Sequence, residues 1–294
     1  MNECSKPIEL INAHAIQMVH TAFYFFVPLD EPATVADQLR NLCVDVGDAN
    51  GVGVGVGVLG SILLANEGIN GMLAGELAQI DIIERALVSQ AVADGKFSGM
   101  KFKRSPCVTR PFKKFKVHVK AEIVPLGISG VDARNTGINL SPQAWRELIK
   151  QDDVVLLDNR NSFEHRLGHF AGAIDPGVTN FRDFPEYVSA HIDDWRRGNK
   201  KIAMYCTGGI RCEKTSAWMH DMDIPVYQLE GGILNYFKEM ADADNDWQGE
   251  CFVFDNRIAL DSKLNETDTT LDEVYTEVPD GPWRLARAKR LDEA

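Results

Sequence analysis

Three features of the 294-residue sequence predict an α/β protein built from two unlike domains. Up to residue 124, apolar segments and turn signals follow the order strand, helix, strand, strand, helix, strand, with one further strand. That order specifies a small α+β sandwich of ferredoxin-like (acylphosphatase-like) topology. Beyond Ser141, continuous apolar runs at 154–158, 202–205 and 226–229 alternate with helical segments, the pattern of a parallel sheet covered on both faces. Residues 127–139 lie between the halves, are rich in Gly, Asn and Asp, and read as a linker. The expected division is residues 1–126 for the first domain, 127–140 for the linker, 141–246 for the second domain, and 247–294 for a partly disordered C-terminal extension.

Residues 1–18 read as a loose leader. Residues 20–28 hold Phe23, Tyr24, Phe25, Phe26 and Val27 and form a buried strand. Thr34 is placed to cap a helix over 35–46, in which Val35, Leu39, Leu42 and Val46 share one face. Residues 51–60 alternate Gly with Val. They contain G-x-G-x-x-G at Gly55, Gly57 and Gly60, but a dinucleotide-binding turn must open a helix. Here residues 61–65 read as a strand, so the repeat is a low-complexity loop or edge strand. Residues 66–71 turn into a strand at 72–74, 80–92 form a helix, and 100–104 and 116–124 are strands. In the second half Ser141 caps a short helix with Pro142 at its first position and Trp145 and Leu148 on one face. Residues 247–260 pack back on the second domain. From Asp261 the chain is polar and mostly acidic, with Arg284, Arg287, Lys289 and Arg290 near its end.

Apolar residues make up 45% of the chain and charged residues 25%, enough for real cores. The net charge of −12 argues against general attraction to nucleic acid. One strip runs against that background. Residues 96–120 hold nine Lys or Arg and no Asp or Glu, which leaves −21 on the remainder. Phe97, Phe102, Phe112 and Phe115 are interleaved with the cations. Phosphate attraction combined with stacking rings holds RNA, and Lys101, Lys103, Arg104, Arg110, Lys113, Lys114 and Lys116 are the candidate contacts. A solvated strand face above core phenylalanines has the same pattern.

Six cysteines are too sparse for a disulfide framework, and no CxxC pair supplies zinc-ligand spacing. His165 and His169 stand four apart but lack the glutamate of a zinc-hydrolase helix. No metal site is expected. No signal-peptide pattern opens the chain, and the uncharged run 51–65 is too short and glycine-rich to span a bilayer. The expected location is cytoplasmic, with no membrane partner.

The candidate chemistry centres on Cys206. The apolar run 202–205 ends at this cysteine; Thr207, Gly208, Gly209, Ile210 and Arg211 follow, and a helix begins. A loop at a helix start offers backbone N–H groups and the positive end of the dipole to an anion, and Arg211 adds a full charge. A free thiol near pKa 8.5 is only about 3% ionised at pH 7, whereas one near 6.5 is about three-quarters ionised. A reactive nucleophile fits this setting, and so does an inert cysteine buried at a strand end. The carboxyl end of a parallel strand is where open α/β sheets place their sites.

The second half resembles the rhodanese fold. The matching pieces are Asp158-Asn159-Arg160 at a strand end, the turn Gly168-His169-Phe170-Ala171-Gly172-Ala173, the loop Cys206 to Arg211, and Gly231-Gly232. The loop is Cys-x4-Arg, one residue shorter than the Cys-x5-Arg phosphate loop of dual-specificity phosphatases. Over roughly residues 20 to 260 the chain resembles a narrower family, the rhodanese-domain tRNA uridine hydroxylases. The resemblance rests on Glu67-Gly68-Ile69-Asn70-Gly71, Val119-Lys120-Ala121-Glu122-Ile123-Val124, Met204 to Lys214, Tyr227 to Leu234, and Gly249-Glu250-Cys251-Phe252-Val253-Phe254-Asp255. It departs in two places: no cysteine follows Cys251, where many members are cysteine-rich, and the Gly–Val repeat replaces a shorter loop.

The resemblance implies oxygen-dependent formation of 5-hydroxyuridine at the tRNA wobble position with Cys206 as the active-site residue. Molecular oxygen is the co-substrate, no organic cofactor is evident, and the partner is the tRNA anticodon arm. Arg211 is then an anion-holding loop residue, unless it is tied to a carboxylate. Asp158 and Arg160 hold the loop by hydrogen bonds, and Cys212 either resolves an oxidised Cys206 or sits buried at the helix start. The alternative activity is sulfur transfer through a Cys206 persulfide supplied by a sulfur donor. A non-catalytic RNA-binding adaptor is the third.

Overall fold

The computed structural model describes residues 18–48 and 57–293. The expected leader, apart from Met18, and the Gly–Val repeat as far as Val56 lie outside the described residues.

The first domain is a five-stranded sheet covered by two helices. Its elements are β1 (Met18–Phe26), α1 (Pro32–Asp48), β2 (Leu59–Ala65), β3 (Gly68–Glu76), α2 (Leu77–Leu87), β4 (Phe102–Cys107) and β5 (Phe115–Val119). The sheet order is β4-β1-β3-β2-β5. Its first four strands are antiparallel neighbours, and β5 extends the edge parallel to β2. Ile62, Leu64, Ile69 and Leu73 point to the helices, where Leu39, Ile80, Ile83, Leu87 and Phe97 close the core. Each fully buried side chain of this size contributes about 2 kcal/mol. Gly71 lies between Ile69 and Leu73 because the Phe23 ring fills its place; a Cβ there would come within 2.5 Å of that ring.

Element ends moved for local reasons. Helix α1 starts at Pro32, not after Thr34, because proline at the first position forfeits no hydrogen bond and the Val35 N–H already reaches the Glu31 carbonyl (3.3 Å). Helix α2 starts at Leu77, with Gln79 accepting from the Glu76 N–H (3.2 Å). Strand 116–124 stops at Val119, since Ile123 and Val124 leave the sheet and bury against the second domain.

The second domain contains β6 (Ile138–Leu140), α3 (Pro142–Leu148), β7 (Val154–Asp158), α4 (Ser162–Leu167), β8 (Gly168–Phe170), α5 (Phe184–Arg197), β9 (Lys201–Tyr205), α6 (Ile210–Trp218), β10 (Val226–Leu229) and α7 (Gly232–Glu239). Its main sheet is parallel throughout, in the order β6-β10-β9-β7. Strand β6 falls inside the stretch expected to be linker. The period of two along β9 decides the site. Ala203 and Tyr205 face Trp145 of α3 and Tyr236 and Phe237 of α7. Ile202, Met204 and Cys206 face Phe184, Val188 and Trp195 of α5. Phe26, Ala65, Ile123 and Val124 join that second cluster, so the first domain docks on the layer that holds Cys206.

The C-terminal extension adds β11 (Trp247–Gly249), paired with β8, then β12 (Cys251–Phe252), β13 (Ala259–Leu260), α8 (Leu271–Tyr275) and α9 (Gly281–Glu293). Partial disorder was expected here. Instead an aromatic cluster anchors it: Phe163 of α4 meets the rings of Phe252 and Tyr275 edge-on, each at 5.1 Å, and Arg284 of α9 lies over Phe163 at 5.0 Å. Among the described residues no helix is long and apolar enough to cross a membrane.

Candidate active site

Strand β9 ends at Tyr205 and α6 begins at Ile210, so residues 206–209 turn between them. The first amides of α7 set the loop's orientation. Ile233 N–H donates to the Cys206 carbonyl (3.0 Å) and Leu234 N–H to the Thr207 carbonyl (3.2 Å). With its carbonyls turned toward α7, the loop directs Gly209 N–H onto the Cys206 sulfur at 3.1 Å. Gly232 makes this approach possible: a Cβ there would lie 2.5 Å from the Cys206 carbonyl oxygen and 2.7 Å from that of Thr207. The sulfur is buried, while Thr207 and Gly208 are half-buried and space is open beyond Gly208.

Burial alone pushes the Cys206 thiol up. Hydrogen bonds from the Cys212 thiol and backbone N–H, the Arg211 charge and the Gly209 N–H outweigh it and bring the pKa down from 9.0 to about 5. At neutral pH such a group is about 99% thiolate. Cys212 is held protonated, by burial and by donating to Cys206. Its sulfur lies 3.9 Å from the Asn159 amide, which donates to Thr215 Oγ1 (2.9 Å).

Arg211 does not present a free charge to the loop. Its guanidinium forms two hydrogen bonds with Glu164 of α4 (2.7 and 2.8 Å), and that carboxylate is fully buried. The expectation of an anion-holding arginine is corrected: the charge tunes Cys206 through space and is already paired. Asp158 and Arg160 form a second buried pair (2.8 and 2.6 Å). Asp158 also accepts from Tyr205 Oη (2.8 Å), and Arg160 donates to the Gly168 carbonyl (2.6 Å). These two residues brace the carboxyl end of β9 and the start of β8. His165 is turned to Asp158 Oδ2 (3.1 Å) and stacks on His169 at 4.1 Å.

The first domain reaches the loop directly. Lys103 of β4 donates to the Gly208 carbonyl and lies 3.3 Å from that of Gly231, with its ammonium 5.0 Å above the Tyr24 ring. Tyr24 Oη donates to Glu213 of α6 (2.8 Å). Lys214, also on α6, is buried between Glu67 Oε2 (2.7 Å), Glu122 and the Val124 carbonyl (3.0 Å).

The predicted basic strip therefore divides. Lys103 is turned inward onto the Gly208 carbonyl, which corrects its assignment as a phosphate contact, whereas Arg104 stays exposed and is ion-paired with Glu84 and Asp81. Lys101 is exposed, 3.6 Å from Glu230. Arg110, Lys113 and Lys114 are exposed on the turn between β4 and β5, and Lys116 is half-buried. Glu164, Tyr24 and Lys214 were not singled out as site residues. Glu67, Glu122 and Lys214 do fall within the family-like segments, but no spacing rule joins residues 147 and 92 positions apart.

Fold and site together define a class: an acylphosphatase-like domain closing over a rhodanese-type thiolate loop. Residues 18–123 match the UPF0176 acylphosphatase like domain, and residues 141–239 match the rhodanese-like domain. The chain is 40% identical over 264 residues to a tRNA uridine(34) hydroxylase of Legionella pneumophila strain Paris, covering 89% of this chain and 95% of the relative. It is 42% identical over 248 residues to one of Nitrobacter winogradskyi (84% and 92% covered) and 40% identical over 249 residues to one of Acinetobacter baumannii strain AYE (84% and 74% covered). The chain belongs to the tRNA uridine(34) hydroxylase family.

Proposed function

We propose that the protein hydroxylates the wobble uridine of tRNA at C5, with Cys206 as the reacting group and molecular oxygen as co-substrate. The observation that carries the role of Cys206 is its buried sulfur, which accepts Gly209 N–H at the carboxyl end of β9. Chemistry on a base requires it unstacked, and the half-buried Thr207–Gly208 rim is where a splayed uridine meets the loop. A thiolate adds to C6 of the uracil enone, sending the electron pair to the O4 enolate and making C5 nucleophilic; once C5 carries oxygen, loss of the C5 proton expels the Cys206 thiolate from C6 and restores the C5–C6 double bond. In the overall conversion one oxygen atom enters C5 and the other leaves as water, with two electrons and two protons from a donor outside the chain.

The second reading is sulfur transfer through a Cys206 persulfide, which the loop amides favour. The Arg211–Glu164 pair weighs against thiosulfate as the donor, because the loop's cation is already neutralised. The deciding test is mass spectrometry of tRNA nucleosides from a strain lacking its own 5-hydroxyuridine pathways. The strain carries wild type or Cys206→Ser, grown with and without oxygen. 5-Hydroxyuridine restored by wild type alone, and only aerobically, supports the hydroxylase. Its absence with wild type in air removes that reading and leaves persulfide transfer.

A further inference from the structure

Phe254 is an aromatic side chain left half-exposed beside the site. It is 51% exposed, as is Trp283, and these are the large aromatic residues standing this far out among the described residues. Trp283 lies on α9 under Arg287, whereas the Phe254 ring covers the guanidinium of Arg211 at 5.9 Å and meets Phe252 edge-on at 5.0 Å. The exposed half of the ring forgoes about 1 kcal/mol of burial, and it stands between the Cys206 loop and a basic turn.

The turn that presents it is rigid. Val253 N–H donates to the Ile258 carbonyl (2.8 Å), and buried Arg257 clamps Asp255 with two bonds (2.8 and 2.7 Å). The turn is also fastened to the first domain. Arg257 reaches Ser105 Oγ of β4 (3.3 Å), and Asn256 N–H donates to the Pro111 carbonyl (3.0 Å). Phe254 is thus continuous with the exposed turn carrying Arg110, Lys113 and Lys114 on one side and adjoins the Cys206 loop through Arg211 on the other.

We propose that Phe254 is a stacking platform for a nucleobase flanking the uridine delivered to Cys206, while the phosphates of the same strand lie along the basic turn. This rests on RNA being the substrate, as proposed above. Stacking suits the setting because an exposed ring with no hydrogen-bonding group accepts any base face, and cations beside it neutralise the backbone. A rigid ring costs little ordering on binding. It would fix the strand so that one nucleotide unstacks at the loop while its neighbour stays stacked.

The test compares wild type with Phe254→Ala, Phe254→Leu and Phe254→Trp. It reads the Kd for a uridine-34 anticodon stem-loop RNA by anisotropy and 5-hydroxyuridine in tRNA from complemented cells. Base–aromatic stacking corresponds to a loss of about 5- to 150-fold in affinity. The expected result is a loss in that range for both Ala and Leu, with Trp restoring binding. The Cys206 titration near pH 5 stays unchanged in all three, which a merely structural role through Arg211 would not allow. Leu binding as tightly as wild type, or a shifted Cys206 titration in the Leu variant, overturns the platform. If wild type hydroxylates while Leu binds normally, the platform fails and the hydroxylase stands. If wild type binds through the ring but leaves uridine unmodified, the platform stands and the hydroxylase fails.

Discussion

Lys103 of the first domain donates to the carbonyl of Gly208, inside the loop that holds the Cys206 thiolate. A residue expected to grip phosphate is instead part of the loop's frame. Its desolvation lowers the lysine's own pKa, partly offset by the nearby Cys206 and Glu213 charges. Replacing it with methionine leaves the Gly208 and Gly231 carbonyls without their cation.

The expected effect of Lys103→Met is a loss of about 2 kcal/mol, the worth of a charged hydrogen bond, read as a lower kcat and a lower Tm. Salt dependence separates this role from RNA contact. A phosphate-binding lysine lowers the slope of log Kd against log salt by about one when removed. Lys103→Met should leave that slope unchanged, whereas Lys113→Ala or Lys114→Ala should reduce it. A reduced slope for Lys103→Met would return it to the RNA surface.

The Arg211–Glu164 pair makes a stability prediction. Removing one partner of a buried pair strands the other charge and costs about 3–5 kcal/mol. Arg211→Ala and Glu164→Gln should both lower the midpoint of urea unfolding, and the double variant should lose less than the sum of the two. Additive losses would mean the two side chains act independently.

What was legible in the sequence was local. The Cys206 loop was visible because strand, turn and helix start are contiguous, and the parallel sheet because its strands are continuous apolar runs. Glu164 was invisible as the partner of Arg211 because α4 and α6 meet only through the fold, 47 residues apart. Lys103 looked like every other cation of its strip; only the docking of β4 on the loop distinguishes it. The C-terminal helices were read as disorder from their charge, since four residues, Phe163, Phe252, Val274 and Tyr275, carry the packing and stand in three separate segments.

Lys214 bolts the domains together. Its ammonium is buried between Glu67 and Glu122 of the first domain. Lys214→Met should destabilise by about 2–3 kcal/mol through loss of its charged hydrogen bonds and expose residues 127–137 to protease before either domain unfolds. Cleavage there at the wild-type rate would show that the apolar contacts of Phe26, Ala65 and Ile123 hold the interface alone.

The thiolate itself has a defined pH window. Because the Cys206 pKa is lowered to about 5, the anion is present above that value and is lost as pH falls through it. Ultraviolet thiolate absorbance, taken as wild type minus Cys206→Ser, should therefore be flat from pH 6 to 8 and fall with a midpoint near 5. Cys212 contributes two of the stabilising hydrogen bonds, and Cys212→Ala removes the one from its thiol while leaving its backbone N–H. A hydrogen bond to a charged group is worth about 1.5 kcal/mol, which corresponds to about one pKa unit. The Cys212→Ala midpoint should accordingly rise to about 6, and the rate at pH 6 should fall about twofold while that at pH 8 holds. An unmoved midpoint would assign the depression to Arg211 and the Gly209 N–H, leaving Cys212 as a packing residue of the helix start.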